Sequence, residues 1–176
     1  SAAAYNGSRI SVIEIGGTIG DFQNALFIEA ARVMKMKHPE DVLFVMVSYL
    51  PTPGTLGEMK TKPTQMAVRD LNSCGVQPDF IIARSKETVD EKRKEKLAIS
   101  CNVRKEHIIS APDIDSIYEA PINFEKDKIG ELLLKKLTLT GARRTNLMSQ
   151  WRRFVAKTKR AKKKVRVALI GKYFDT

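Results

Sequence analysis

Residues 42–50 read VLFVMVSYL, an almost unbroken apolar run that ends at the Pro/Gly-rich stretch 51–57. A run this short, rich in β-branched and aromatic residues, reads as a strand covered on both faces. Working outward, the pattern on each side is helical. Upstream, Phe22, Leu26, Ala30 and Val33, with Ala25, Ile28 and Met36, form a wide apolar stripe over residues 22–36, with Asp21 placed as its N-cap. Before that, ISVIEI (residues 10–15) reads as a buried strand that stops at Gly16-Gly17. Downstream, residues 64–74 fit a helix that opens after Pro63 and closes before Gly75. Then follow an apolar strand at 80–83, a charged helix at 90–99, a short strand at 108–109 and a helix at 126–137. A basic helix at 144–159 and a strand VRVALI at 165–170, before Gly171, complete the pattern. Continuous apolar strands alternating with helices predict an α/β fold, a parallel sheet with helices on both faces. In such sheets ligands bind beyond the carboxyl ends of the strands, so residues just after each strand deserve inspection.

Composition narrows the class. The chain has 176 residues, 43% of them hydrophobic, and no apolar run near the ~20 residues of a membrane span. Ser1-Ala2-Ala3-Ala4 lacks the basic start and apolar stretch of a secretory signal. Two cysteines, Cys74 and Cys101, without a CxxC spacing, predict neither a disulfide scaffold nor a zinc site. A reducing cytoplasm follows as the expected compartment. The net charge of +11 is local: nine basic residues and no acid lie between Trp151 and Arg166, which leaves about +2 for the rest. Only Trp151 and Phe154 interleave that run, so a solvated helix or linker is expected rather than a nucleic-acid surface.

Four constellations carry possible chemistry. Glu14 ends a predicted strand and is followed by Gly16, Gly17 and Gly20, where backbone can approach a phosphate. Its carboxylate can hold magnesium or pair with a lysine. Lys60-Thr61-Lys62-Pro63-Thr64-Gln65 sets two lysines before a helix N-terminus, a place for an anion or for two solvated cations. Arg84 follows the FIIA strand, with Lys96 on the next helix, suited to a phosphate, a planar base or a surface ion pair. Asp113-Ile114-Asp115 follows a strand and a proline, able to accept from an exocyclic amine or to cap a turn. GxxxxGK[ST] does not occur, and His38 and His107 read as structural.

The runs IEIGGTIGD, EMKTKPTQ, LNSCGVQPDFIIARS, CNV, DIDSIY and VALIGKY, in this order, resemble cytidine triphosphate synthase across residues 10–173. That resemblance implies a P-loop-NTPase-like partial domain. It implies ATP-dependent amination of UTP to CTP with ammonia from glutamine, Mg2+ as the metal, and a homotetramer built as a dimer of dimers. Membranes and nucleic acids are not expected as partners. By motif, Glu14 would be a magnesium ligand, and Lys60, Thr61, Lys62, Pro63, Thr64, Gln65 and Lys96 would bind the triphosphate of UTP or CTP. Asp21, Phe22 and Gln23 would lie on the CTP inhibitor site of a neighbouring subunit, and Arg84, Asp113 and Ile114 would surround the adenine of ATP. The chain departs from the family pattern at Gln23, Met66 and Ser100, where an acid, a histidine and an aromatic are usual. The expected organisation is the C-terminal part of the synthetase domain over 1–143, a basic interdomain linker helix over 144–164, and the first strand of a glutamine amidotransferase domain over 165–176. With the phosphate loop and the glutaminase residues expected outside it, the polypeptide alone is expected to be inactive. A nucleic-acid-binding module using the basic stretch, and a non-catalytic assembly subunit of the same fold, are the alternative readings.

Overall fold

The computed structural model describes residues 9–54, 57–139, 146–163, 165–168 and 170–171. The chain divides into two compact units, residues 1–142 and 143–176. The first is an α/β unit, a parallel sheet flanked by helices on both faces. Helix α1 (Phe22–Lys37) precedes strand β1 (Val45–Leu50). Helix α2 (Lys62–Ser73) crosses to β2 (Phe80–Ser85), and α3 (Glu91–Cys101) to β3 (Ile108–Pro112). Two short helices follow, α4 (Ala120–Lys126) and α5 (Ile129–Lys136). The sheet order is β1-β2-β3 and both pairings are parallel.

The register sorts the side chains. Met46, Ser48 and Leu50 stand beside Ile81, Ala83 and Ser85, which stand beside Ile108, Ser110 and Pro112. With strand side chains alternating in direction, these residues share one face. Met46, Leu50, Ile81, Ala83 and Ile108 join Val68, Leu71, Leu97 and Cys101 of α2 and α3 in one buried core. The opposite face carries Val45, Val47 and Tyr49, all exposed, and then Phe80, which stacks on His107 with ring centroids 4.2 Å apart. Strands β2 and β3 are buried nearly throughout, as continuous apolar runs predict. β1 departs from that prediction: it alternates between buried and exposed, because nothing among the described residues covers its second face.

The ends of the strands are tied by side chains. Asp79 accepts from the Phe44 N–H at 2.9 Å and pairs with Lys136 at 2.9 Å and Lys35 at 3.7 Å. That carboxylate joins α1, β1 and α5 at the amino end of the sheet. Gln77 donates to the carbonyls of Cys101 (3.0 Å) and Asn102 (3.3 Å), closing the C-terminus of α3. The QPD triplet is thus a structural clasp. Gly75 adopts φ +74, and a Cβ there would meet Arg32 Cδ at 2.8 Å, so this turn after α2 admits little but glycine.

Several expectations are corrected. Residues 10–15 form no strand, and Ile10, Val12, Ile13 and Ile15 are exposed. A β segment has no stability without a neighbour to take its backbone hydrogen bonds, and the described sheet offers it none. Of the apolar stripe on α1 only Ile28 is buried, while Phe22 and Leu26 face outward. The expected helix at 126–137 is broken, since Lys128 takes φ 54 between α4 and α5. The break follows from Asp127, whose carboxylate is drawn to the Ser110 N–H at 2.6 Å and to Lys94 Nζ at 2.8 Å. α2 opens at Lys62 rather than after Pro63, and β2 runs on to include Arg84.

The second unit holds helix α6 (Leu147–Arg160). Trp151 and Phe154 touch on it, ring centroids 5.3 Å apart, and Val155 is buried. The described residues of 165–171 form no strand, and Val165, Val167 and Ile170 are exposed. A β segment needs a neighbour to take its backbone hydrogen bonds, and the second unit has no strand among its described residues.

Candidate functional site

The carboxyl end of β1 leads to the segment 57–61 and so to the first turn of α2. The turn is seated by polar contacts. Thr61, Thr64 and Gln65 are buried. Ser48 Oγ on β1 lies 2.8 Å from Thr64 Oγ1, and Gln65 Nε2 donates to Thr61 Oγ1 at 3.1 Å. The Lys60 N–H donates to the Pro51 carbonyl at 2.8 Å, closing the loop that leaves β1. Lys62 and Pro63 occupy the exposed first turn. A helix N-terminus leaves amides without intrahelical acceptors, which favours an anion there.

Cations gather beside that turn. Lys60 Nζ pairs with Glu58 Oε2 at 2.7 Å, and Arg93 Nη2 lies 3.6 Å from Glu58 Oε1. The hydrogen bond from Lys60 holds the Glu58 carboxyl below its usual range, and the charges of Lys60, Arg93 and Lys96 act in the same direction. Lys60 and Arg93 are therefore joined by one carboxylate, and Lys96 adds its charge to the field there. Arg93 is itself fixed: it donates through Nε to the Met59 carbonyl at 3.2 Å and pairs with Asp90, the N-cap of α3. The Arg93 backbone N–H donates to Asp90 and is the first cause of that carboxyl's depressed pKa.

Arg84 lies on the sheet face opposite α2 and α3, beside Tyr49 of β1 and Ala111 of β3. Its side chain is exposed. One step further, the Asp113 N–H donates to the Ser85 carbonyl at 2.9 Å, which extends the β2–β3 ladder past Pro112. Arg84, Asp113 and the half-exposed Ile114 thereby collect at one strand end. A guanidinium plane, a carboxylate acceptor and an aliphatic surface are the groups that hold a purine.

Glu14 and Asp21 are brought together with Gly16, Gly17, Gln23 and Asn24 around a hollow of ≈ 370 Å³. Asp21 stands at the N-cap position of α1 but does not cap it. Its Oδ2 accepts from the Thr18 N–H at 2.8 Å instead, and Asn24 Nδ2 donates to the Thr18 carbonyl at 3.3 Å. Gly17 has φ +86, and a Cβ on it would stand 2.5 Å from Asn24 Nδ2. Phe22 points away and is almost wholly exposed, whereas Phe27 lines the hollow. Among the described residues no group of three or more His, Cys, Asp or Glu is placed to enclose a metal ion. Mg2+ asks for less, since it keeps waters and is commonly bound by one or two carboxylates together with substrate phosphates. Glu14, exposed at the rim, fits that mode.

Sequence reasoning missed three contributors: Ser48, Glu58 and Arg93. Two left a trace. Arg93 stands three residues before Lys96, hence on the same helix flank, and Glu58 stands two before Lys60. Ser48 left none, since a lone serine in an apolar strand carries no signal of what lies opposite.

Comparison with known proteins bears on the reading. A family model described as the CTP synthase N-terminus matches residues 1–139. The CTP synthase of Pyrococcus horikoshii is 42% identical over 165 residues, 93% of this chain and 30% of that protein. The CTP synthase of Methanocaldococcus jannaschii is 42% identical over 170 residues, 96% of this chain and 31% of that protein. The CTP synthase of Caldanaerobacter subterraneus subsp. tengcongensis is 40% identical over 167 residues, 94% of this chain and 31% of that protein. The chain thus spans about three tenths of the length of these curated relatives. The match also corrects the expected organisation: residues 1–139 correspond to the N-terminal synthetase part, not to a C-terminal segment. The C-terminal expectation came from the resemblance, which set the family's phosphate loop before Glu14, whereas the match takes residues 1–139 as the N-terminus.

Proposed function

This chain belongs to the CTP synthase family, and from that premise we propose that it carries nucleotide-gripping residues for the ATP-dependent amination of UTP to CTP. The ammonia would come from glutamine. The observation that carries the proposal is the gathering of Lys60 and Arg93 around Glu58 beside the first turn of α2, within the field of Lys96. In this reading Lys60, Lys62 and Lys96 take the triphosphate of UTP as point charges, and the amides around Pro63 add donors. Thr64 ties that turn to β1 through Ser48, and Gln65 steadies it by donating to Thr61. Such contacts fix where the uracil must lie, so the reacting carbon is positioned by groups that do not touch it.

Arg84, Asp113 and Ile114 take the adenine of ATP in the same proposal. Glu14 is the residue for Mg2+, which when bound neutralises charge on the nucleotide phosphates. Asp21, Phe22 and Gln23 are read as the part of α1 that meets CTP bound by a neighbouring subunit. The exposed Phe22 and Leu26 support assembly with further copies, in line with a tetramer. Helix α6, with its basic last turn, is read as a connector. A shallow dependence of DNA affinity on salt agrees with that role, and a steep log-log slope contradicts it.

The test is titration of UTP with Mg2+ into the full chain and its Lys60→Ala and Lys62→Ala variants. A lost charge-assisted contact is worth ~1.5–3 kcal/mol, so each variant is expected to bind UTP about tenfold more weakly or worse. Unchanged affinity in both would reject the cradle.

A further inference from the structure

We propose that Glu58 is the resident counter-ion of the triphosphate cradle, a carboxylate that occupies Lys60 until the phosphates of the substrate displace it. The proposal rests on reading residues 60–65 as that cradle. Glu58 Oε2 sits 2.7 Å from Lys60 Nζ, and Glu58 Oε1 sits 3.6 Å from the Arg93 guanidinium. Lys96 adds its field to the same carboxylate. One anionic group therefore stands among three cations, and its two oxygens are divided between two of them.

The arrangement around it separates a fixed part from a movable part. Arg93 is held at both ends, by Asp90 on α3 and by the Met59 carbonyl, and only a quarter of its side chain is exposed. Lys60 and Glu58 are freer, with side chains 37% and 60% exposed. The Glu58 side chain can swing to water while the Met59 carbonyl stays pinned to Arg93. Arg93 is thus a positioning residue. It holds the segment before α2 in place whether Lys60 faces Glu58 or a phosphate. An exposed ion pair is weak, so exchanging a single carboxylate for a polyphosphate is downhill. A singly charged competitor, however, gains little by it. Every anion pays to displace Glu58, and one with several charges recovers that cost through the neighbouring cations, while an uncharged ligand is untouched by it.

The experiment titrates UTP with Mg2+, and separately uridine, into the full chain and its Glu58→Gln, Glu58→Asp and Lys60→Ala variants. Calorimetry reads UTP and ligand-observed NMR reads uridine. Removing the counter-ion is expected to tighten UTP about threefold and to leave uridine unchanged. Glu58→Asp keeps the charge and is expected to stay close to the parent. If Lys60→Ala weakens UTP but Glu58→Gln leaves it unchanged, the counter-ion role is overturned and the cradle stands. If Glu58→Gln weakens both ligands and lowers Tm, Glu58 is only a structural strut and the proposal again falls. If Lys60→Ala has no effect on UTP, the cradle itself is wrong and the inference falls with it.

Discussion

At the hollow beside α1, the proposed contact with CTP turns on a single residue. Gln23 stands where the family pattern has an acid, on the rim shared with Glu14 and Asp21. An ionic hydrogen bond is roughly twice as strong as a neutral one. Gln23→Glu is therefore expected to tighten CTP by about fivefold, with UTP affinity nearly unchanged. Equal or weaker CTP binding in a direct titration would remove Gln23 from the site. A second residue sets a pH response. His107 is buried against Phe80, and its Nδ1 lies 3.1 Å from the Asp79 carbonyl. Burial pushes its pKa below the ordinary 6.5, and the charges of Lys136 and Arg104 push the same way. The hydrogen bond to Asp79 and the charge of Glu106 oppose the shift. The unfolded chain thus takes up a proton more readily than the folded one. Stability from this group is complete above pH 6.5 and is lost as pH falls through the folded value. Denaturant midpoints between pH 7.5 and pH 5 are expected to fall less steeply in His107→Phe than in the parent. Equal slopes would mean that His107 does not carry the effect.

At the scale of elements, the edge of β3 away from β2 has no further strand among the described residues and is met by side chains instead. The Ser110 N–H donates to Asp127 Oδ2 at 2.6 Å, and its carbonyl accepts from Asn123 at 3.2 Å. Its hydroxyl accepts from the Val89 N–H at 2.9 Å. Asp127 further pairs with Lys94, whose side chain is 11% exposed. At Ser110 the edge leaves no backbone group open to another chain. Asp127→Ala leaves an almost buried ammonium and a strand amide without their acceptor. The expected loss is about 3 kcal/mol, read as a lower urea midpoint at unchanged m. A loss under about 0.5 kcal/mol would show that water replaces the carboxylate at no cost. The break between α4 and α5 belongs to the same device. Helical periodicity runs through residues 126–137, yet one carboxylate bonded across the sheet edge overrides it.

Across the whole molecule, apolar surface is unevenly distributed. Leu26 is 82% exposed and Phe22 94%, on a helix with a single buried side chain. Isolated exposed apolar side chains are ordinary, but neighbours one turn apart on one helix form a patch suited to association. Leu26→Asp is expected to leave the circular dichroism of the fold intact and to shift sedimentation toward smaller species. An unchanged sedimentation profile in an assembled protein would place the contact elsewhere. Among the described residues no helix is long and apolar enough to cross a membrane.

What the sequence determined by itself is the α/β class, the order of helices and strands from α1 to β3, and the segments that resemble the family. These are local quantities. Apolar periodicity, a proline at a helix start and a glycine after a helix end are written within a few neighbouring residues. Only the tertiary structure decided that residues 10–15 and 165–168 form no strand, that Lys60 and Arg93 share one carboxylate, and that Asp127 splits a helix. Those outcomes depend on parallel register and on which loop lies over which helix, set by contacts between residues far apart in the sequence. Arg93 reaches Met59 across 34 residues, and Lys94 reaches Asp127 across 33. No periodicity records such a meeting, because the energy that selects it exists only once the strands have paired.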